Sequence, residues 1–315
     1  MKRLLAFIFL VQVACVLNAG QIKSEQVSKD AAWVMHLDLD LMRTVPDGLC
    51  GWLNEQSYQP EAARRLAANS RWLGIDIRSA LKNVTAYGLT SDESQAVALF
   101  EGAFDKQQIL ARLNTVEGYK MSVNDNEEIH SWYKNKNPEE LQYASFHSTN
   151  VVAFASDEDT LKHALAILRK SESGADGSSL LNSVEQDSLL YVAFQVDEPL
   201  PWPKAGMLRN ANAGALNLKE TDGNVTISLM LNAFDQTQAD NLFNVAQGLK
   251  AMAQLNADTQ PQAALVAQNI VVDRHELAVS LSLTSPSANI VELLQVTADK
   301  HTRRNGQVKK RQPFK

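Results

Sequence analysis

From Met35 onward the stretch Ala32-Trp33-Val34-Met35-His36-Leu37-Asp38-Leu39-Asp40 alternates apolar and polar positions. Met35, Leu37 and Leu39 share one face and His36, Asp38 and Asp40 the other, the period-two pattern of a half-buried strand. A helical pattern follows over Gln59 to Trp72, through Ala62, Leu66 and Ala67, with Gly74 as its stop. Val84 to Leu89 and Ala96 to Phe104 read as two strands around the turn-like Thr90 to Ser94. Asp105 then suits a helix N-cap, and Ile109, Leu110 and Leu113 give that helix its inward stripe. Tyr119 to Val123, Glu128 to Tyr133, Leu141 to His147 and Val151 to Ala155 predict a meander of short antiparallel strands. Ser156, with Asp159 three positions on, predicts the cap of a helix whose apolar face is Leu161, Leu165 and Leu168.

The segment 171–187 is rich in Ser, Gly and Asp and reads as a linker. Beyond it, Ser188 to Asp197 resembles the first opening strand, and Pro199 to Pro203 predicts an extended loop. Asp222-Gly223 predicts a turn into a strand over Asn224 to Phe234, and Asp235 caps a long helix with Leu242, Val245, Leu249 and Met252 at spacings of three and four. A short helix over Gln262 to Asn269 is followed by a strand pair, Ile270 to Val272 and Glu276 to Thr284, turning at Asp273 to His275. Ser285-Pro286 predicts the start of a last helix, with Ile290, Leu293 and Leu294 on its apolar side.

Both halves thus present an opening strand, a strand ending in Ala-Phe-Asp, a helix, later strands and a closing helix. The shared tripeptide is Ala103-Phe104-Asp105 and Ala233-Phe234-Asp235. The fold class expected is α+β, as two related halves, 20–170 and 188–298, each a mainly antiparallel sheet with helices packed on one face.

Composition adds a destination. Met1-Lys2-Arg3 followed by an apolar run from Leu4 to Leu17, broken by Gln12, has the form of a secretory signal peptide, with cleavage expected after Ala19. Ala14-Cys15 opens the alternative of a lipoprotein acylated on Cys15, against which stands Gln12, where a bacterial lipobox normally has Leu. The run is shorter than the roughly 20 residues a spanning helix needs. Removal of the leader leaves Cys50 as the single cysteine, so no intramolecular disulfide is expected. Residues 20–299 hold 21 basic and 36 acidic residues, a balance of −15, whereas residues 300–315 carry seven cations and no acid. A disordered tail and an anion-binding tail, held to an anionic envelope component, are both open. Nucleic acid is disfavoured by the acidic body.

These features resemble a family of exported bacterial proteins of unknown function. They share an opening strand ending in Asp (Met35 to Asp40), a strand, Phe-Asp and helix step (Ala96 to Leu113), and a meander before a Ser-capped helix (Leu141 to Leu168). The resemblance implies a secreted α+β protein and carries over no catalytic residues.

Candidate chemistry is sparse. His36, Asp38 and Asp40, as alternate residues of one strand, form the one constellation with metal-ligand chemistry, set against their reading as the wet side of that strand. His275-Glu276 begins like a zinc-protease motif, but Val279 stands where the second His belongs. His130, His147 and His163 are isolated in sequence, His163 on a solvated helix face, and Cys50 reads as a buried apolar residue. Trp202, between prolines, is a candidate partner anchor or a cover for a core edge. No cofactor motif is present. Two function classes follow: a non-enzymatic binding or scaffold protein of the envelope, and a metal-dependent hydrolase on the His36/Asp38/Asp40 face.

Overall fold

A computed structural model describes residues 22–296 apart from 60–62, 65–75, 92, 135, 171–173, 175–178, 186, 198–205 and 256–260. The expected leader with Cys15, most of the helix expected over Gln59 to Trp72, the loop bearing Trp202 and the basic tail therefore lie outside the described residues.

Twelve strands form one continuous antiparallel sheet. In the first half these are β1 (Trp33–Asp38), β2 (Leu81–Gly88), β3 (Ala96–Gly102), β4 (Lys120–Asn124), β5 (Glu127–Lys134), β6 (Asn137–Phe146) and β7 (Val151–Ala155). In the second they are β8 (Leu190–Gln195), β9 (Ala211–Thr221), β10 (Asn224–Ala233), β11 (Ile270–His275) and β12 (Ala278–Pro286). Their spatial order is β11-β12-β10-β9-β8-β1-β2-β3-β7-β6-β5-β4. Outward from the centre, each half runs as a three-strand meander whose third strand pairs with the last strand of that half: β3 with β7, and β10 with β12. The halves meet where β1 pairs antiparallel with β8, Val34 opposite Ala193 and His36 opposite Tyr191.

The helices are α1 (Leu39–Thr44), α2 (Gly48–Ser57), α3 (Ile77–Ala80), α4 (Lys106–Leu113), α5 (Glu158–Leu168), α6 (Gln236–Leu255), α7 (Pro261–Gln268) and a last helix, α8, over 287–296. Asp105 and Asp235 cap α4 and α6, accepting from Gln108 N at 2.9 Å and Gln238 N at 2.8 Å. On one face of the sheet, Val97, Leu99, Ala153 and Ala155 pack in one cluster with Leu161, Ala164 and Leu165 of α5, and Val34, Tyr87, Ala193 and Ala215 extend that cluster with Leu180 toward the second half. The opposite face carries the rest. Leu37, Val84 and Leu218 lie under α1 and α2, Leu231 and Val279 under α6, Val225 and Ile227 under α2, α7 and α8, and Phe146 and Val152 under α4. The first half is thus covered on both faces. The α+β class with a mainly antiparallel sheet is as expected; the strands of both halves form a single sheet, and its first half carries helices on both faces rather than on one.

Local departures from the expected elements have identifiable causes. Leu39 and Asp40 continue the alternation in sequence, but the Asp38 carboxylate accepts from Leu41 N at 2.6 Å and turns the chain into α1. Asp157, rather than Ser156, caps α5, accepting from Thr160 N at 2.8 Å. Pairing of β12 with β10 extends through Ser285 and Pro286, which are the last strand residues rather than the cap and first residue of α8. The β11–β12 turn falls at Glu276-Leu277, because His275 pairs with Ala278. Strand β9 was not expected at all. The apolar stripe of α6 is buried only at Ala239, Leu242 and Ala246, whereas Val245, Leu249 and Met252 are about half exposed. At about 30 Å, a helix of 20 residues outruns the strands that bury its start. Among the described residues of 171–187, Leu180 is buried in the core and Val184 packs against it, so this stretch is part of the fold.

One polar contact ties helix to sheet across long sequence separation. Glu220, at the end of β9 and 6% exposed, accepts from the backbone N–H groups of Leu49 and Cys50, each at 2.8 Å, and from Ser287 Oγ. A carboxylate at the first turn of α2 suits the free N–H groups there. Gly48 precedes them at φ +70, and a Cβ at that position would overlap Glu220 Oε1. Burial raises the Glu220 carboxyl, but the bonds from Ser287, Cys50 and Leu49 outweigh it and hold the group below its ordinary value. Its stabilising contribution is therefore present above the ordinary carboxylate range and lost as pH falls through the lowered value. We expect Glu220→Ala to cost roughly 2–4 kcal/mol in urea unfolding, since it orphans buried donors, with Glu220→Gln costing less.

Candidate functional site

Register places a row of polar side chains across the centre of the face covered by α5. Ser228 of β10 pairs with Asn217 of β9, Asn217 with Tyr191 of β8, Tyr191 with His36 of β1, and His36 with Thr85 of β2. A second row holds Asp38, Asn83 and Glu101. These are not wet positions. His36 is 3% exposed and Asp38 7%. Buried polar groups need partners, and most have them. His36 Nδ1 is 2.8 Å from Thr85 Oγ1, Asn83 Nδ2 donates to Glu101 Oε2 at 3.1 Å, and Lys23 Nζ pairs with Glu101 Oε1 at 2.6 Å.

Where the rows meet the start of β8, a cavity of about 350 Å³ is lined by Ile22, His36, Asp38, Val184, Glu185, Asp187, Ser188 and Tyr191. Asn217 shapes its rim. It donates to Ser183 O at 2.8 Å and accepts from Glu185 N at 3.1 Å, which ties residues 183–185 to the sheet. Ser188 Oγ lies 2.9 Å from Glu185 O and 3.0 Å from Asn217 Oδ1. Lys219 Nζ meets Glu185 Oε2 at 2.5 Å, and Tyr191 donates its hydroxyl to Leu180 O. Asp187 sits in the left-handed region at φ 59.

Asp38 is the least compensated of these groups. Its Oδ1 accepts from Leu41 N, and among the described residues Oδ2 has no hydrogen-bond partner. Burial pushes its carboxyl up to about 6, aided by the charges of Asp40 and Asp187 and opposed by the Leu41 hydrogen bond. Burial likewise pushes Tyr191 up to about 12.

Of the candidate metal ligands, His36 and Asp38 share one face of β1 and Asp40 lies apart from them. Strand β1 ends at Asp38, Asp40 lies in the first turn of α1, and no three His, Cys, Asp or Glu groups among the described residues are placed to hold a metal. The other histidines are not isolated in space. His130 Nδ1 is 3.0 Å from Tyr119 Oη, His147 Nδ1 is 3.1 Å from Glu127 Oε1, and His163 Nε2 is 3.1 Å from Ser28 Oγ, joining α5 to the chain before β1. Cys50 is buried in the core of the opposite face, its thiol pushed well above the ordinary value by burial and by Glu220, which leaves it inert. Glu185 and Asp187 escaped sequence reasoning because they lie in a stretch that reads as linker, and Ser188 because it reads as the first residue of an opening strand. Tyr191 escaped as one residue of an apolar strand. An acidic pair immediately before a strand opening was the available signal.

No protein-family model and no curated protein matches the chain. Among solved structures it is similar to crystal form III of TP0453, with a TM-score of 0.47 and 9% identity, covering 87% of this chain and 98% of that one. Crystal form I of TP0453 gives a TM-score of 0.44 at 9% identity, over 88% and 97% of the two chains.

The raised Asp38 carboxyl makes a signed prediction. A group that binds its proton more tightly in the folded state withdraws stability as pH rises from its ordinary value to its raised one, here from about 4 to about 6, and no further above that. Asp38→Asn keeps the cap, because Asn serves as well as Asp. Denaturation at pH 7.5 is expected to show the variant more stable by on the order of 1 kcal/mol, with the decline between pH 4 and 6 reduced.

Proposed function

We propose that this chain is an exported, non-enzymatic binding protein of the bacterial envelope, and that its ligand seat is the cavity over His36, Asp38 and Tyr191. The single observation that carries the reading is a polar cavity built at the junction of the two halves. Its rim is held by Asn217, and one of its walls is a carboxylate that the protein leaves largely uncompensated. Placing such a group at a pocket sacrifices stability, which is characteristic of binding sites.

The hydroxyls at this site favour binding over nucleophilic catalysis. Tyr191 donates to a main-chain carbonyl, and Ser188 lies against Glu185 O and Asn217 Oδ1. An activated nucleophile instead hands its proton to a base. Export rests on the cationic start and apolar run of residues 1–19, and the seven cations beyond Asp299 suit contact with an anionic envelope component. No helix among the described residues is long and apolar enough to cross a membrane. The related order of strands around β1 and β8 supports descent by internal duplication.

The test is co-purification. Protein isolated from an envelope extract is expected to carry a small molecule detectable by native mass spectrometry. That molecule should be absent from Val184→Trp and from Ile22→Trp, which fill the cavity from two sides. Identical profiles for the wild type and for whichever variant keeps its wild-type melting behaviour would overturn the reading.

A further inference from the structure

The chemistry of the cavity walls narrows what could occupy them; the argument rests on the reading of the cavity as a ligand seat. Three carboxylates, Asp38, Glu185 and Asp187, line about 350 Å³. Glu185 is already neutralised by Lys219 at 2.5 Å. Lys23, the cation beside the neighbouring polar row, is committed to Glu101 at 2.6 Å. Asp38 and Asp187 are left facing the cavity, with Asp40 behind them on α1 adding a third negative charge to the field at Asp38. Asp38 is more than nine-tenths buried, and its Oδ2 has no hydrogen-bond partner among the described residues. A buried carboxylate in that state is costly unless a positive donor completes it.

The remaining walls are the polar His36 and Ser188 and the apolar or partly apolar Ile22, Val184 and ring of Tyr191. A volume of this size is at the small end of ligand pockets. We infer that the cavity binds a small organic ammonium compound, its N–H groups donating to Asp38 and Asp187 and its short carbon chain lying against Ile22, Val184 and Tyr191. A bare metal ion fits less well, because no three ligating groups are placed around one point among the described residues. An ammonium group needs only separate acceptors at hydrogen-bond distance. A carboxylate ligand of the same size would meet two or three like charges, so the site discriminates by repulsion as well as by attraction.

The experiment compares three probes of equal carbon length on the full chain at pH 7.5: n-butylammonium chloride, sodium butyrate and 1-butanol. Binding is read by calorimetry and by two-dimensional NMR of the amides around Asp38 and Ser188. The expected result is saturable millimolar binding of butylammonium alone, weakened at least tenfold in Asp38→Asn and lost in Val184→Trp. Binding of butylammonium that is unchanged in Asp38→Asn would overturn the inference. Butyrate or butanol binding that Val184→Trp abolishes would overturn the ammonium class while leaving the cavity as a ligand seat. Failure of all three probes would overturn the ammonium class, and the co-purification result then decides the seat separately.

Discussion

The antiparallel pairing of β1 with β8 is the constraint on which the rest of the structure depends. Five residue pairs, from Trp33 with Phe194 to Leu37 with Leu190, join two meanders into one sheet. Without them each half would present an open strand edge at its inner end, β1 in one and β8 in the other. The same register sets His36 against Tyr191 and so aligns the polar row that crosses the seam. That row is buried, and it is tolerated because its members are paired: His36 with Thr85, and Asn217 with the main chain of segment 183–188. The seam therefore does two things at once: it closes the core and leaves a polar hollow within it.

Around that seam the two faces of the sheet are treated differently. On one, α5 covers only the first half, and the polar positions of β10 and β12, such as Thr226, Ser280 and Ser282, face outward, as antiparallel sheets with one solvated face do. On the other, α2 spans the seam, resting on Leu37 and Leu218 and also on Val225, with Glu220 tied to its first turn. This helix and the β1–β8 pairing are the devices that bind the halves together, one by main-chain hydrogen bonds and the other by a buried charge and apolar packing. Asp38 belongs to both systems, ending β1 and capping α1. Its carboxylate thus takes part in the fold through Oδ1 and also lines the cavity.

How much of this was legible in the chain follows from the range of the forces involved. Periodicity and capping act over a few residues, so the strand beginning at Ala96, the four-strand meander and the Asp105 and Asp235 caps were readable directly. The turn at Asp222-Gly223, with φ of 51 and 73, was readable for the same reason. Strand β9 was not, since Ala211-Asn212-Ala213-Gly214-Ala215 has weak strand preference and is held by pairing with β8 and β10 on either side. Helix α1 was hidden because Leu39 and Asp40 extend the strand alternation by two residues before the cap takes effect. The site was the least visible part. His36 and Asp38 stood out as polar residues on a strand, but the cavity they line is completed by Val184, Glu185, Asp187 and Ser188, nearly 150 residues away and tied to the sheet through Asn217. Neither spacing nor composition records that contact.

The claim that the seam organises both fold and site is tested most directly by hydrogen exchange. In native-state exchange followed by mass spectrometry, peptides covering Trp33–Asp38 and Leu190–Gln195 are predicted to share one opening free energy, equal to that of global unfolding, because neither strand can open without the other. If the β8 peptide exchanged through a distinct, lower-energy opening while β1 stayed protected, the halves would be separate cooperative units. The seam would then not be the organising element.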